Sequence, residues 1–310
     1  MIRLALEQRR VLIEARPGGG WDISPPARFL TSAHGPIIFV IHGYNNDQEE
    51  AETSYGILRE NLREILGDNR TRLNHIWELY WPGYLPKGTL LPWRKVGNFA
   101  SVMSYPYQEQ KTTKLGAALA EYIGEIPGRD RNSGPEVIFV AHSLGCRVVM
   151  ETLRNLDQVD ASVRVLGVCL MAAAVPVFAI EPGGHLRSGA HRSNKVYILY
   201  SSADSVLRWV FRPGQFLAHL ATFPEAVGRF GNPFHGLFTV LDNVVDTGLE
   251  HGDYYRGRPA GDPGPNRTRT TIGRLFGRPQ PDLLRDNYLV EWPPVVENHL
   301  IANTLIGEAI

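Results

Sequence analysis

Two rhythms of hydrophobic positions alternate along this chain. Short, unbroken apolar runs are separated by stretches in which apolar residues return every three or four positions. IIFVI (37–41) and VIFVA (137–141) are continuous and β-branched, as expected for parallel strands covered on both faces. RVLIEA (10–15), HIWELYW (75–81), VRVLGVCLM (163–171) and KVYILY (195–200) read as further strands, and LFTVLDNVV (237–245) as a last one. Between them, Ala51, Tyr55, Leu58, Leu62 and Ile65 share one helical face that Gly67 ends. Leu115, Leu119, Tyr122 and Ile126 mark a second helix, Val149, Leu153 and Leu156 a third over 145–156, and 297–310 reads as a terminal one. Strands alternating with helices predict an α/β fold: a mostly parallel central sheet with helices on both faces. Two stretches break the rhythm: 81–108, aromatic and marked by Pro and Gly, and 256–281, rich in Gly, Pro and Arg. Both are expected to be loops or insertions within a single domain over 1–310, not linkers.

Composition narrows the function classes. The 310 residues carry 32 basic and 32 acidic side chains, so the formal charge is zero, and 43% are hydrophobic. Such a chain can bury a full core without metals or disulfides. The balanced charge argues against a whole-surface affinity for nucleic acid or anionic membrane. No apolar run approaches the roughly 20 residues of a membrane span. The opening MIRLALEQRRVLIEARP lacks a secretory h-region, so a cytoplasmic protein is expected. Cys146 and Cys169 sit in apolar surroundings and read as buried, reduced thiols. His185 and His191 are too loosely spaced for a zinc pair, no His-Glu-x-x-His occurs, and no Gly-rich phosphate loop follows the first strands. No metal and no cofactor are expected.

The chemistry concentrates in two turns. Ala141-His142-Ser143-Leu144-Gly145 joins the VIFVA strand to the next helix. A serine on such a turn stands on a sharp corner with its hydroxyl above the sheet edge, and small residues on either side let strand and helix pass closely. A plain helix cap is the structural alternative. His42-Gly43-Tyr44-Asn45-Asn46 follows the IIFVI strand and reaches the same sheet edge if the two strands are neighbours. Gly43 admits close backbone approach. The N–H groups of Tyr44 and Leu144 are candidates to converge on a developing oxyanion. His42, Gly43, Asn45 and His142 are candidate substrate contacts.

With these two turns the chain resembles an α/β-hydrolase over roughly 37–255. It is most similar to bacterial serine hydrolases with an early His-Gly-Phe/Tyr-Asn and a late His-x-Asp/Ser-Tyr, here His251-Gly252-Asp253-Tyr254. Ala141 stands where the commonest family motif has Gly, and is small enough for the turn. The resemblance implies a catalytic acid and a histidine following the serine in that order. After the 163–171 strand no carboxylate occurs until Glu181, so the acid falls to Asp204, just beyond KVYILY. Helix capping is its alternative role, and Asp242 and Asp246 are lesser candidates. His251 is the expected base. His299 takes its place if 289–292 is the true last strand, while His219 and His235 are expected to pack or hydrogen-bond in an apolar segment.

The implied activity is a serine hydrolase of carboxylic esters, esterase- or lipase-like. A Ser143–His251–Asp204 triad would work through an acyl-enzyme. Thioester hydrolysis and acyl transfer use the same trio, and a catalytically inactive scaffold that recruits a partner is the reading from another class. Trp209, Phe211, Phe216, Phe223, Phe230 and Phe234 make 205–236 a possible lid or cap, or an insertion with its own small core. Tyr84, Trp93, Phe99, Tyr105 and Tyr107 could form an opposing wall, which would suit a small-molecule ester with an apolar acyl part. Arg256, Arg258, Arg267, Arg269, Arg274 and Arg278 face one acid, Asp262, in the second insertion. A solvated loop, or a dock for an anionic group, fits that excess. Only Phe276 interleaves with them, so nucleic acid is not an expected partner.

Overall fold

A computed structural model describes residues 9–275, except 18, 32–34, 45–47, 67–74, 84–97, 129–132, 160–161, 194, 220–222, 232–243, 259–260, 263 and 265. Eight strands form one sheet: β1 (Arg10–Ala15), β2 (Trp21–Ser24), β3 (Ile37–Ile41), β4 (Ile76–Tyr80), β5 (Glu136–His142), β6 (Arg164–Met171), β7 (Val196–Tyr200) and β8 (Val244–Asp246). Their order is β2-β1-β4-β3-β5-β6-β7-β8, antiparallel between β1 and β2 and parallel at every other pair. β2 has no counterpart among the sequence expectations, because WDIS carries only two half-buried residues. Of the expected 237–245 strand, 244–245 pair with β7, while 237–243 lie outside the described residues. Residues 276–310, where a terminal helix is expected and where His299 and the 289–292 run fall, also lie outside them.

The central strands read as they pack. All five residues of β3 and the last six of β5 are buried, and the two strands run in register from Ile37 against Val137 to Ile41 against Ala141. That register brings the two chemistry-bearing turns to the same sheet edge. Helix α1 (Gln48–Leu66) buries Ala51, Tyr55, Leu58 and Leu62. Cys146 and Cys169 are buried free thiols, and burial pushes Cys169 up to about 12 and Cys146 well above its ordinary value.

Two expected loops are partly helical. Helix α2 runs from Asn98 to Gly124, so the last eleven residues of the 81–108 stretch belong to it despite Pro106. Tertiary packing holds that turn. Tyr105 sets its edge against Phe211, and Glu109 accepts from Gln215 and His219 and pairs with Arg147 at 2.7 Å. Arg147 lies in α3 (Leu144–Val159), the helix that follows Ser143. Both partners are nearly inaccessible, so the pair ties α2 to α3 with little water to screen it. After the short helices α4 (Val177–Ile180) and α5 (Arg187–Ala190), the 205–236 segment forms a π-helical turn (Leu207–Phe211), α6 (Arg212–His219) and α7 (Val227–Phe230). Its aromatics divide: Phe211 enters the core, Phe216 stacks on Phe223, and Trp209, Phe223 and Phe230 face solvent. Phe234 lies outside the described residues, as do Tyr84 and Trp93 of the earlier loop.

The arginine-rich stretch holds helix α8 (Arg267–Leu275). Asn266 caps it, its Oδ1 accepting the Arg269 N–H at 2.9 Å. Thr268, Thr271, Ile272 and Leu275 are buried, a spacing that the Gly, Pro and Arg content around it concealed. The solvated-loop expectation therefore fails for 267–275. Ile272→Ala should destabilise the protein by about 2–5 kcal/mol. Urea denaturation checks this, since a solvated loop would leave the midpoint unchanged.

Candidate active site

Ser143 occupies a left-handed backbone conformation, φ +54°, between β5 and α3. Only the surrounding bonds hold a non-glycine residue there. Its N–H donates to the Met171 carbonyl at 2.9 Å, and its own carbonyl accepts from Cys146 and Ala174, both at 3.1 Å. Steric limits then fix its neighbours. A Cβ on Gly145 would lie 2.4 Å from the His42 carbonyl, and one on Gly43 would lie 2.7 Å from the Ser143 Cβ. Both positions demand glycine because the two turns touch through their backbones.

The three residues expected to carry the chemistry come together. The His251 Nδ1–H donates to Asp204 Oδ2 at 2.8 Å, which leaves Nε2 bare to accept the Ser143 Oγ–H at 2.9 Å. Asp204 is fully buried, and its other oxygen accepts the Leu207 N–H at 2.9 Å. The capping bond and the bond to His251 are thus made at once, by different oxygens of Asp204. Asp246 instead accepts from Gly248 in its own turn, and Asp242 and His235 lie outside the described residues. His219, exposed at the end of α6, bonds Glu109.

The loop that carries His251 is fastened by residues the sequence reading passed over. Ser205 donates both its N–H and its hydroxyl to Glu250, joining the acid's loop to the base's loop. Thr268 of α8 donates to the Tyr254 carbonyl at 2.7 Å, and Asn61 of α1 to the Tyr255 carbonyl at 2.7 Å. Asn266 bridges Asn61 and the Arg256 carbonyl. Polar residues at a cap and on the inner edge of an amphipathic helix were the only signal, and their partners lie far away in sequence.

His42 does not face a ligand. Its Nδ1–H donates to the Gly43 carbonyl at 2.8 Å, its Nε2 accepts the Trp81 N–H at 3.3 Å, and its ring stacks on Trp81. The Trp81 indole donates to the His42 carbonyl, and the Tyr55 hydroxyl receives the His42 N–H and donates to Leu79. Both ring nitrogens are occupied, so the expectation of a substrate contact at His42 gives way to a bracing role under the Gly43–Tyr44 turn. His142 is also buried, its Nε2 directed at the His251 main-chain carbonyl. A substrate contact does not fit it either. Tyr44 is half-buried, its hydroxyl bonded to Ser104. Leu144 opens α3, so its N–H has no carbonyl within the helix to bond. Asn45 lies outside the described residues. Among those described, no group of three or more His, Cys, Asp or Glu side chains is placed to hold a metal ion.

Burial pushes the His42 imidazole down to about 4, against the weaker opposing pull of its bonds to Gly43 and Trp81. Burial, then the neighbouring His251, hold His142 well below its ordinary value. The unfolded chain protonates both rings near pH 6.5, whereas the folded chain keeps them neutral well below that. Stability is therefore full above about pH 7 and falls on acidification, each ring adding up to ~1.4 kcal/mol per pH unit. Urea denaturation between about pH 5 and 7.5 should show a shallower slope for His142→Gln than for wild type. Equal slopes would mean that His142 titrates alike in both states. Gly145→Ala should cost about 1–3 kcal/mol or more in the same assay, because the added methyl meets backbone that cannot yield.

The family comparison agrees with the fold. A family model described as alpha/beta hydrolase of unknown function (DUF900) matches residues 26–210, which include Gly43, Ser143 and Asp204 and end before His251. Curated proteins give no match to the chain. The match spans more than half of the chain, and this protein belongs to the DUF900 family of alpha/beta hydrolases.

Proposed function

We propose that the protein is a serine hydrolase of carboxylic esters. The observation that carries the proposal is the continuous relay from Asp204 through His251 to the Ser143 hydroxyl. A serine hydroxyl is a poor nucleophile at neutral pH, and an imidazole with a free nitrogen 2.9 Å away is placed to take its proton. Attack of Ser143 Oγ on an ester carbonyl forms a tetrahedral intermediate as the proton passes to His251. Asp204 holds the ring in the tautomer that leaves Nε2 bare and stabilises the imidazolium. The imidazolium returns the proton to the departing alkoxide, and the C–O bond to the alcohol breaks. Water then attacks the acyl-enzyme and gives its proton to His251, which returns it to Ser143 Oγ as the acyl C–Oγ bond breaks and the acid leaves.

The N–H groups of Leu144, at the start of α3, and of Tyr44, beside Gly43, are the proposed donors to the oxyanion. Each such donor is worth roughly 10²–10³ in turnover. The expected substrate is a small ester with an apolar acyl part, read from the aromatic residues of 205–236. A protein working in the cytoplasm without metal or cofactor remains the sequence-based expectation.

A fluorophosphonate probe should label Ser143, with the adduct located by mass spectrometry and absent in Ser143→Ala. Asp204→Asn should lower ester hydrolysis by about 10⁴, since it favours the wrong tautomer. Turnover should rise along a series of p-nitrophenyl esters from acetyl to longer acyl chains. Activity confined to short polar esters would count against an apolar acyl substrate. Folded wild-type protein that takes no probe would favour a scaffold that only binds.

A further inference from the structure

We infer that His142 is a positioning residue: its ring N–H holds the main-chain carbonyl of His251 and so fixes how that imidazole meets Ser143. The inference rests on the proposed hydrolytic role of Ser143, His251 and Asp204. His142 Nε2 lies 2.9 Å from the His251 carbonyl oxygen. A carbonyl only accepts, so Nε2 carries the proton and Nδ1 is bare. That bare nitrogen is buried, and among the described residues it has no hydrogen-bond partner. Protonation would place a second N–H there with nothing to receive it, beside a ring 4.8 Å away that must itself become positive during turnover. His142 is thus kept a neutral donor, in agreement with the downward pull of burial on its titration.

The surroundings leave the ring no other task. His142 is 5% exposed, packed against the rings of His251, Tyr254 and Tyr255. Its Nδ1 lies 3.1 Å from where a Cβ on Gly43 would sit, so it is wedged beneath the oxyanion turn. Among the described residues no other group donates to the His251 carbonyl. The other main-chain and side-chain ties on the loop act at Glu250, Tyr254, Tyr255 and Arg256.

Position in the chain gives the bond its leverage. His142 directly precedes Ser143, so the base is registered to the backbone of the nucleophile by two connections. One runs from the His142 side chain to the His251 main chain, the other between the His251 and Ser143 side chains. Cutting the first releases the main chain that carries the imidazole, and the ring can then shift within its side-chain bonds to Asp204 and Ser143. A displacement of about 1 Å at a reacting group costs on the order of 10² in rate.

The test compares His142→Gln, whose amide N–H reaches a similar point, with His142→Leu, which has no donor. Both are read by fluorophosphonate labelling rate, by kcat and KM on a p-nitrophenyl ester, and by the low-field proton resonance of the His251 Nδ1–H facing Asp204. The Leu variant should lose about 10–100-fold in labelling rate and kcat with KM little changed, and its resonance should broaden or vanish. The Gln variant should stay within about threefold of wild type and keep the resonance. A folded Leu variant with wild-type rates and an intact resonance would overturn the inference. So would a Gln variant as impaired as Leu, or no low-field resonance in wild type. Should Leu fail to fold, the Gln variant decides alone: a folded Gln variant without the resonance overturns the role. If wild type takes no probe yet the resonance responds as expected, the hydrolase reading fails and the positioning role stands.

Discussion

Everything at the site depends on one unfavourable backbone conformation. A left-handed serine costs on the order of 1–3 kcal/mol, and no side chain rewards it locally. What holds it is the fold around it: a bond from its N–H across to β6, two bonds onto its carbonyl, and two glycines that let β3 and the β5–α3 turn come into backbone contact. Relaxing that turn would move Oγ away from His251 and the Leu144 N–H away from the oxyanion position together. Strain, nucleophile and donor are aspects of a single turn.

The supports around this turn are aromatic and imidazole rings, and each of the two imidazoles directs a hydrogen bond into the main chain. His42 stacked on Trp81 braces one turn, and His142 among Tyr254 and Tyr255 braces the other. A buried neutral imidazole does what an aliphatic side chain cannot, since it fills the space of a ring and still directs a hydrogen bond. The cost is an interior that tolerates acid poorly.

The three residues of the proposed triad were legible in the sequence, and much of the structure that supports them was hidden. Ser143 was visible because a strand, a small-x-Ser-x-Gly turn and a helix follow one another locally. Asp204 and His251 were visible because each stands just past the end of a sheet strand. Thr268, Asn61, Trp81 and Tyr55 were not, because each acts through a main-chain group many residues away. Pro106 and the arginines near α8 misled for a related reason. Local composition opposed helix there, and contacts to distant residues such as Phe211 outweighed it. His142 was noticed for its position beside the serine and given an outward-facing task, whereas its hydrogen bond points inward.

The placement of α8 also orders events in time. On the ribosome the serine emerges first, the acid some sixty residues later, and the base after roughly another fifty. Thr268 and Asn266, which steady the base's loop, follow only after that. A nascent chain can pair β3 with β5 and set the strained turn while its hydroxyl still has no imidazole beside it. If Ser143 is the nucleophile proposed here, it is unarmed during synthesis and gains its imidazole only once the polypeptide beyond it has been made and folded back.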